Sequence, residues 1–381
     1  MKDATAIVGV GQTEFAKAID QSELTLAVRA IKGALDDAGL SASDVDGLSS
    51  FTMEPNIEVE VARNLGMENV TWFSQVGYGG GAACAVVGQA AMAVATGQCQ
   101  VAVAWRARKR GARTSRPWAQ VAQRIEGPAQ WSRPFGLLRP VDEIAVLTRR
   151  YIHDHGATRD HLCNVAMAFR SHANRNPNAL MHDKPMTRDD YFASRMISEP
   201  LCLFDNCLET DGALAVVVTG TDRAADTPHP GVLVHAYAQG LNAQHQTMTN
   251  FHGEDPLRGP AWAAADLLWR RADFTPADLD VAQIYDAFSP LILLSLEGYG
   301  IVERGEGGPF TDDGNLELGG ALPTNTSGGG MSEAYVHGMN LVVEGVRQLR
   351  GTSTSQVDGA RTCLVTSGEG VPTSALLLKA A

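Results

Sequence analysis

The side chains that could do covalent or metal chemistry in this sequence are set at spacings that rule most of it out. Cys84, Cys99, Cys163, Cys202, Cys207 and Cys363 show no metal-ligand pattern, and the C-x4-C pair Cys202/Cys207 has no second pair. They read as reduced thiols. His153 and His155 come nearest to a histidine–carboxylate cluster; they are expected on a surface loop, and no metal site is expected. A Schiff base needs a lysine, and Lys2, Lys17, Lys32, Lys109, Lys184 and Lys379 belong to no motif that reaches a cleft. Two glycine-rich phrases stand out instead. Gly79-Gly-Gly-Ala-Ala-Cys84 and Ser327-Gly-Gly-Gly-Met331 each lead into a helical stretch. Helix N-termini offer backbone N–H groups, and glycine leaves them accessible. The cationic run Arg106, Arg108, Lys109, Arg110, Arg113 and Arg116 has two readings. One is a solvated loop edge; the other is a site for a phosphorylated ligand such as coenzyme A, whose oxygens match the guanidinium fork.

The elements that would position these groups occur twice. Ala4 to Gly11 is a short apolar run closed by glycine and reads as a buried strand. Leu24, Leu26, Ala27, Ala30, Ile31 and Leu35 then keep helical spacing between a Ser22 cap and a Gly39 stop. The turn Leu40–Asp46 and a strand from Gly47 follow. After a helical stretch from Ala263 to Arg271, Phe274–Asp280 and the strand Val281–Tyr285 repeat that phrase. Likewise the first glycine-rich loop, its alanine-rich helix and the strand Gln100–Trp105 match the second loop, a helix expected from about Glu333 to Leu349, and the strand Thr362–Thr366. A duplicated order of this kind implies a pseudo-symmetric α/β fold of two halves. The halves are read as residues 1–222 and 230–381, separated by the linker 222–230. The first carries a Pro-, Arg- and His-containing insertion over 106–201, of the length that usually covers a site.

Bulk properties narrow the partners. The chain has 381 residues, 44% hydrophobic and 19% charged, which suits two fused halves with a sizeable core. A net charge of -12 argues against nucleic acid and anionic membranes, both of which want a basic face. No apolar run approaches the ~20 residues of a membrane span. The chain opens on strand-like residues, so no targeting segment is expected, and the expected location is the cytoplasm.

From Ile7 to Leu378 these phrases, in this order, resemble the thiolase superfamily. The resemblance implies a five-layered α/β/α/β/α sandwich. It also places four thiolase motifs by their flanks. The nucleophilic cysteine position falls on Gly80, with Cys84 one turn beyond; the asparagine- or histidine-containing motif becomes Tyr285-Asp-Ala-Phe288. The Gly-His-Pro motif becomes Ser332-Glu-Ala-Tyr-Val336, putting Tyr335 in place of histidine, and Cys-x-Gly becomes Thr366-Ser-Gly-Glu-Gly370. Every chemical position differs, which excludes an acyl-enzyme at the usual place. Tyr78–Ala85, Glu333–Asn340 and Glu344–Thr352 are similar to one branch, the lipid-transfer-protein-like aldolases that remove steroid side chains. That resemblance implies retro-aldol cleavage of a β-hydroxyacyl-CoA, giving a 17-ketosteroid and propionyl-CoA from a C-22 side chain. It implies no cofactor in this chain. It also implies a separate zinc-ribbon/OB-fold (DUF35-type) subunit and a homodimer, hence an α2β2 complex, with strands near Ala102 pairing across a two-fold axis.

Such a cleavage needs a base for the hydroxyl, donors for the thioester enolate and an acid for its carbon. Tyr285 and Tyr335 are the expected proton carriers, with His337 and Tyr237 beside them, and Asp286 either holding backbone N–H groups or taking part. Gly80, Gly81, Gly329, Gly330, Ser367 and Gly368 are expected to bind substrate through their backbone. Two other functions fit the same scaffold: a non-catalytic acyl-CoA or lipid carrier, and an acyltransferase using Cys84.

Overall fold

In the computed structural model, which describes residues 2–110, 125–245 and 248–381, the first repeat supplies five strands. They are β1 (Thr5–Gln12), β2 (Gly47–Phe51), β3 (Trp72–Val76), β4 (Val101–Arg108) and β5 (Gly212–Gly220). The second supplies β6 (Val232–Gly240), β7 (Val281–Gln283), β8 (Thr362–Thr366) and β9 (Thr373–Ala380). Their spatial order is β3-β2-β4-β5-β1-β6-β9-β8-β7. The run β2-β4-β5-β1 thus has the same order as β7-β8-β9-β6, as a duplication requires. The two half-sheets meet along a short seam, Ala6 to Leu233 and Ile7 to Val232.

Five layers follow from which faces are apolar. Helix α1 (Glu23–Ala38) is capped by Ser22, which accepts from the Thr25 N–H at 3.0 Å, and is ended by Gly39 at φ 68°. It covers the outer face of the first half-sheet, where Leu26 and Ile31 meet Val101, Val103 and Trp105. Full burial of such side chains contributes about 1.5–3 kcal/mol each. The alternate residues Ala102 and Ala104 face inward to α2 (Ala83–Ala95). Nine of the 13 residues of α2 are buried, so it cannot be a surface helix with one apolar stripe. It touches both half-sheets, as does its repeat counterpart. The insertion adds α3 (Pro140–His155) and α4 (Arg159–Ala173), and α4 packs on the turn Gly329–Ser332. Helix α5 (Ala261–Arg271) closes the outer face of the second half, and α6 (Met339–Arg350) completes the middle layer.

The structure corrects four expectations. The helix expected from Glu333 is broken: Gly329–Ser332 forms one turn, and α6 begins only at Met339. His337 at φ 52° and Gly338 at φ 88° cannot continue a right-handed helix. Arg106 and Arg108 belong to β4 and are buried, so they form no solvated loop edge. Arg113 and Arg116 lie outside the described residues. His153 and His155 sit on the last turn of α3 rather than on a loop, His153 beside Asp154 and His155 against the Tyr151 ring. Finally, Ala102 lies on an inner strand, between β2 and β5; the open edge of the first half is β3.

Candidate active site

The segment after β7 is tied down before it presents any side chain. Asn325 accepts from the Ile284 N–H and donates to the Ile284 carbonyl, both at 2.7 Å, standing in for a neighbouring strand. The next N–H, that of Tyr285, donates to Thr366 Oγ1 at 3.1 Å. Tyr335 leaves the broken helix with its N–H bonded to Thr210 Oγ1 at 3.1 Å. These ties bring the two phenol oxygens to 2.5 Å, with the rings edge to face at 61°. Burial pushes both phenols above their ordinary value. On Tyr335 the hydrogen bond shared with Tyr285 and the charges of Arg108 and Arg106 act in the opposite sense. Negative charge is therefore better tolerated on Tyr335 than on its neighbour.

Glycines make room for this pair. A Cβ at Gly80 would lie 1.8 Å from the Tyr285 oxygen, and one at Gly338 or Gly368 would lie 3.1 or 3.0 Å from the ring. The Gly368 N–H donates to the Gly80 carbonyl at 3.0 Å. Ser367 Oγ accepts from the Cys84 N–H at 3.0 Å, and Ser374 Oγ donates to the Gly81 carbonyl at 2.7 Å. The structure therefore brings Gly80, Gly81, Ser367 and Gly368 together, as the packing that seats Tyr285 and caps α2. Cys84 is fully buried, its Sγ 3.3 Å from the Val365 carbonyl, and burial pushes its thiol up to about 12. Such a thiol is neither ionised nor reachable, so Cys84 is no displaced nucleophile.

The second glycine-rich loop departs from expectation. Asp286 accepts from the N–H groups of Gly330 at 2.8 Å and Met331 at 3.1 Å. Those donors are engaged by the protein itself, not left open for a substrate. Burial raises the Asp286 carboxyl to about 7, and these two N–H groups hold it from rising further. A Cβ at Gly329 would lie 2.3 Å from Asp286 Oδ2, so the glycine serves the close approach of the carboxylate.

His337 lies against Tyr335, ring centroids 5.4 Å apart, and its Nδ1 is 3.0 Å from the Arg106 guanidinium. Burial, then Arg106 and Arg108, push the imidazole well below its usual range. Its surroundings therefore favour the neutral form. Tyr237 is not brought to the pair. Its ring fills the space above Gly88, where a Cβ would meet it at 2.2 Å, beyond the first turn of α2, a helix that starts only after Gly80. Sequence reasoning missed Glu54, Asn325 and Thr210. The one available signal was Arg106 and Arg108 two apart in an apolar strand, which puts both on the same face.

This is a thiolase fold in which a tyrosine from the second half fills the space beside Gly80, just before α2. The model of the Thiolase C-terminal domain-like family matches residues 242–378. The chain is 47% identical over 381 residues to 17-hydroxy-3-oxo-4-pregnene-20-carboxyl-CoA lyase of Mycobacterium tuberculosis, covering 98% of each chain. It is 45% identical over 383 residues to the steroid side-chain-cleaving aldolase of Thermomonospora curvata, covering 99% of this chain and 98% of that one. Among solved structures, the Ltp2-ChsH2(DUF35) aldolase matches with a TM-score of 0.94 at 44% identity, over 100% of this chain and 98% of that one. Human mitochondrial 3-ketoacyl-CoA thiolase, at 14% identity, covers 99% of each chain and shares the fold with a TM-score of 0.70. The chain belongs to the thiolase superfamily, in its branch of steroid side-chain-cleaving aldolases. It is an aldolase-type lyase and not a thiolase.

Proposed function

We propose that this chain cleaves the CoA thioester of a 17-hydroxy steroid with a C-22 side chain by a retro-aldol reaction. The products are a 17-ketosteroid and propionyl-CoA. The observation that carries this reading is the tyrosine pair, hydroxyls 2.5 Å apart, packed against Gly80, the position to which the resemblance assigns the thiolase nucleophile. Tyr335, the phenol nearer the arginine charges, takes the proton of the β-hydroxyl as the C–C bond breaks. The bonding electrons pass to the thioester enolate. Tyr335 hands its own proton to Tyr285, and Tyr285 delivers one to the enolate carbon. No ring carries a full negative charge in this relay, which suits phenols raised by burial. The route needs no cofactor; coenzyme A arrives as part of the substrate.

The chain is proposed to act as a homodimer with a zinc-ribbon/OB-fold (DUF35-type) subunit, as an α2β2 complex. Support comes from the open strand β3, which carries the exposed Phe73, and from the two-component Ltp2-ChsH2(DUF35) aldolase. A cytoplasmic location is supported by six unpaired cysteines. Among the described residues no helix is long and apolar enough to cross a membrane.

The test is incubation of the purified chain, alone and with a DUF35-type partner, with the steroid CoA thioester. Equal amounts of ring ketone and propionyl-CoA are expected. Thioester that is bound but never cleaved, with the partner present, would leave the carrier reading in its place.

A further inference from the structure

We propose that Arg106 is a positioning residue: it locks His337 in the tautomer that carries its proton on Nε2, so that His337 donates a hydrogen bond to the thioester oxygen as the C–C bond breaks. This rests on the retro-aldol reading and names a donor which that reading requires but does not supply.

The geometry fixes the tautomer. A guanidinium has five donors and no acceptor, so at 3.0 Å from Arg106 the Nδ1 of His337 must accept. The ring's one proton then sits on Nε2. Arg106 has little freedom to do otherwise. It is fully buried, bonded to Glu54 Oε2 at 3.2 Å, with its guanidinium 4.8 Å above the Phe51 ring. Glu54 is held in turn by the Ala107 N–H at 2.9 Å and by Asn56 Nδ2 at 2.6 Å. A chain of fixed groups therefore runs from the sheet to the imidazole.

The imidazole is also held from its own side. His337 adopts φ 52°, which a non-glycine residue keeps only where its surroundings impose it. Its ring stands edge to face with Tyr335, with Cε1 3.9 Å from where a Cβ at Gly79 would lie. The charged and titratable groups facing it are Arg106 and Arg108 from β4 and Tyr335 from its own loop, with Glu54 behind Arg106. Two cations and burial oppose a second proton. The two phenols already account for the proton transfers, so a neutral N–H beside Tyr335 is suited to the oxygen on which enolate charge gathers. One such donor typically contributes ~10²–10³ in rate.

The experiment has two arms, both on the protein with its partner subunit. Solid-state 15N NMR of histidine-labelled protein, with His337 assigned by the signal lost in His337→Gln, is expected to show a protonated Nε2 and a bare Nδ1. That pattern should hold unchanged from pH 6 to 8.5. The second arm is the double variant Glu54→Gln/Arg106→Met, which removes both buried charges together. Its kcat is expected to fall by ~10–10² with KM changed far less, and its His337 should begin to titrate, adding an acid limb to the kcat profile. A doubly protonated or Nδ1-protonated His337 in an active enzyme would overturn the proposal. So would a double variant with unchanged kcat and pH profile. If that variant does not fold, the NMR arm and the kcat of His337→Gln, expected to exceed that of His337→Ala, decide alone. A wild-type protein that cleaves no β-hydroxyacyl-CoA would sink the retro-aldol reading itself, whatever tautomer His337 shows.

Discussion

The hydroxyls of Tyr285 and Tyr335 are 2.5 Å apart, so one phenol donates its proton to the oxygen of the other. Replacing either by phenylalanine removes one oxygen and keeps the ring, so thermal stability should change little. Turnover should fall by ~10² or more, as for a lost acid–base group. The double variant should be little worse than the poorer single one, because members of one relay are not additive. Near-normal kcat in both single variants would end the tyrosine mechanism.

Gly80→Ala puts a Cβ 1.8 Å from the Tyr285 oxygen. Overpacking of this kind costs about 1–3 kcal/mol and displaces the phenol. Thermal denaturation should show a clear loss, and cleavage should collapse with it. In a Tyr285→Ala background the same alanine should cost almost nothing. An equal loss in both backgrounds would mean that the two positions do not compete for space.

Cys84→Ala should keep most activity. The thiol is buried, held near 12 and turned toward the Val365 carbonyl rather than the tyrosine pair. Intact-protein mass spectrometry of the wild type with substrate should show no acyl adduct. A folded variant that has lost more than ~10² in kcat would bring back an acyl-enzyme route.

Phe73, on the edge strand β3, is 67% exposed. Phe73→Lys places a charge on an edge that is expected to pair with its symmetry mate. Light scattering should report a dimer for the wild type at micromolar concentration and a shift toward monomer for the variant. A monomeric wild type, with and without its partner subunit, would rule out this interface.

Glu333 is buried, and burial raises its carboxyl to about 7 although Ser327 and Asn340 donate to it. A carboxyl raised on folding adds stability that is complete below about pH 4 and is lost as pH climbs through 7. Glutamine does not titrate. The stability of Glu333→Gln relative to wild type should therefore improve between pH 5 and pH 8, by at most about 3 kcal/mol. Urea denaturation at the two pH values measures this, and a gap that moves the other way would show that Glu333 is ionised in the fold.

The strands, the caps of α1 and the duplicated order were legible because each rests on neighbours in the chain. Ser22 and Gly39 act within one turn of the helix they bound. The site was legible only where a motif marked it, at Gly80, Tyr285, Tyr335, His337 and Gly368. Its supports were not, because they come from far away: Asn325 lies 41 residues from Ile284, and Glu54 lies 52 from Arg106. The break before α6 escaped for a related reason. Helical spacing runs on through His337, and only Gly338 hinted that the backbone turns left-handed there. Tyr237 was misplaced because strand position alone does not say which layer a ring enters, and Gly88 drew it along α2.

The exclusion between Gly80 and Tyr285 also sets the order in which a lineage could move between the two chemistries. A thiol introduced at position 80 while the tyrosine is present finds its place already filled, so selection would meet a misfolded site before any nucleophile appeared. The ring must shrink first. That ancestor would have neither a phenol relay nor a cysteine, and would be silent in both reactions. Each branch is thus insulated from the other by a crossing of at least two steps, with a midpoint that has no activity to select.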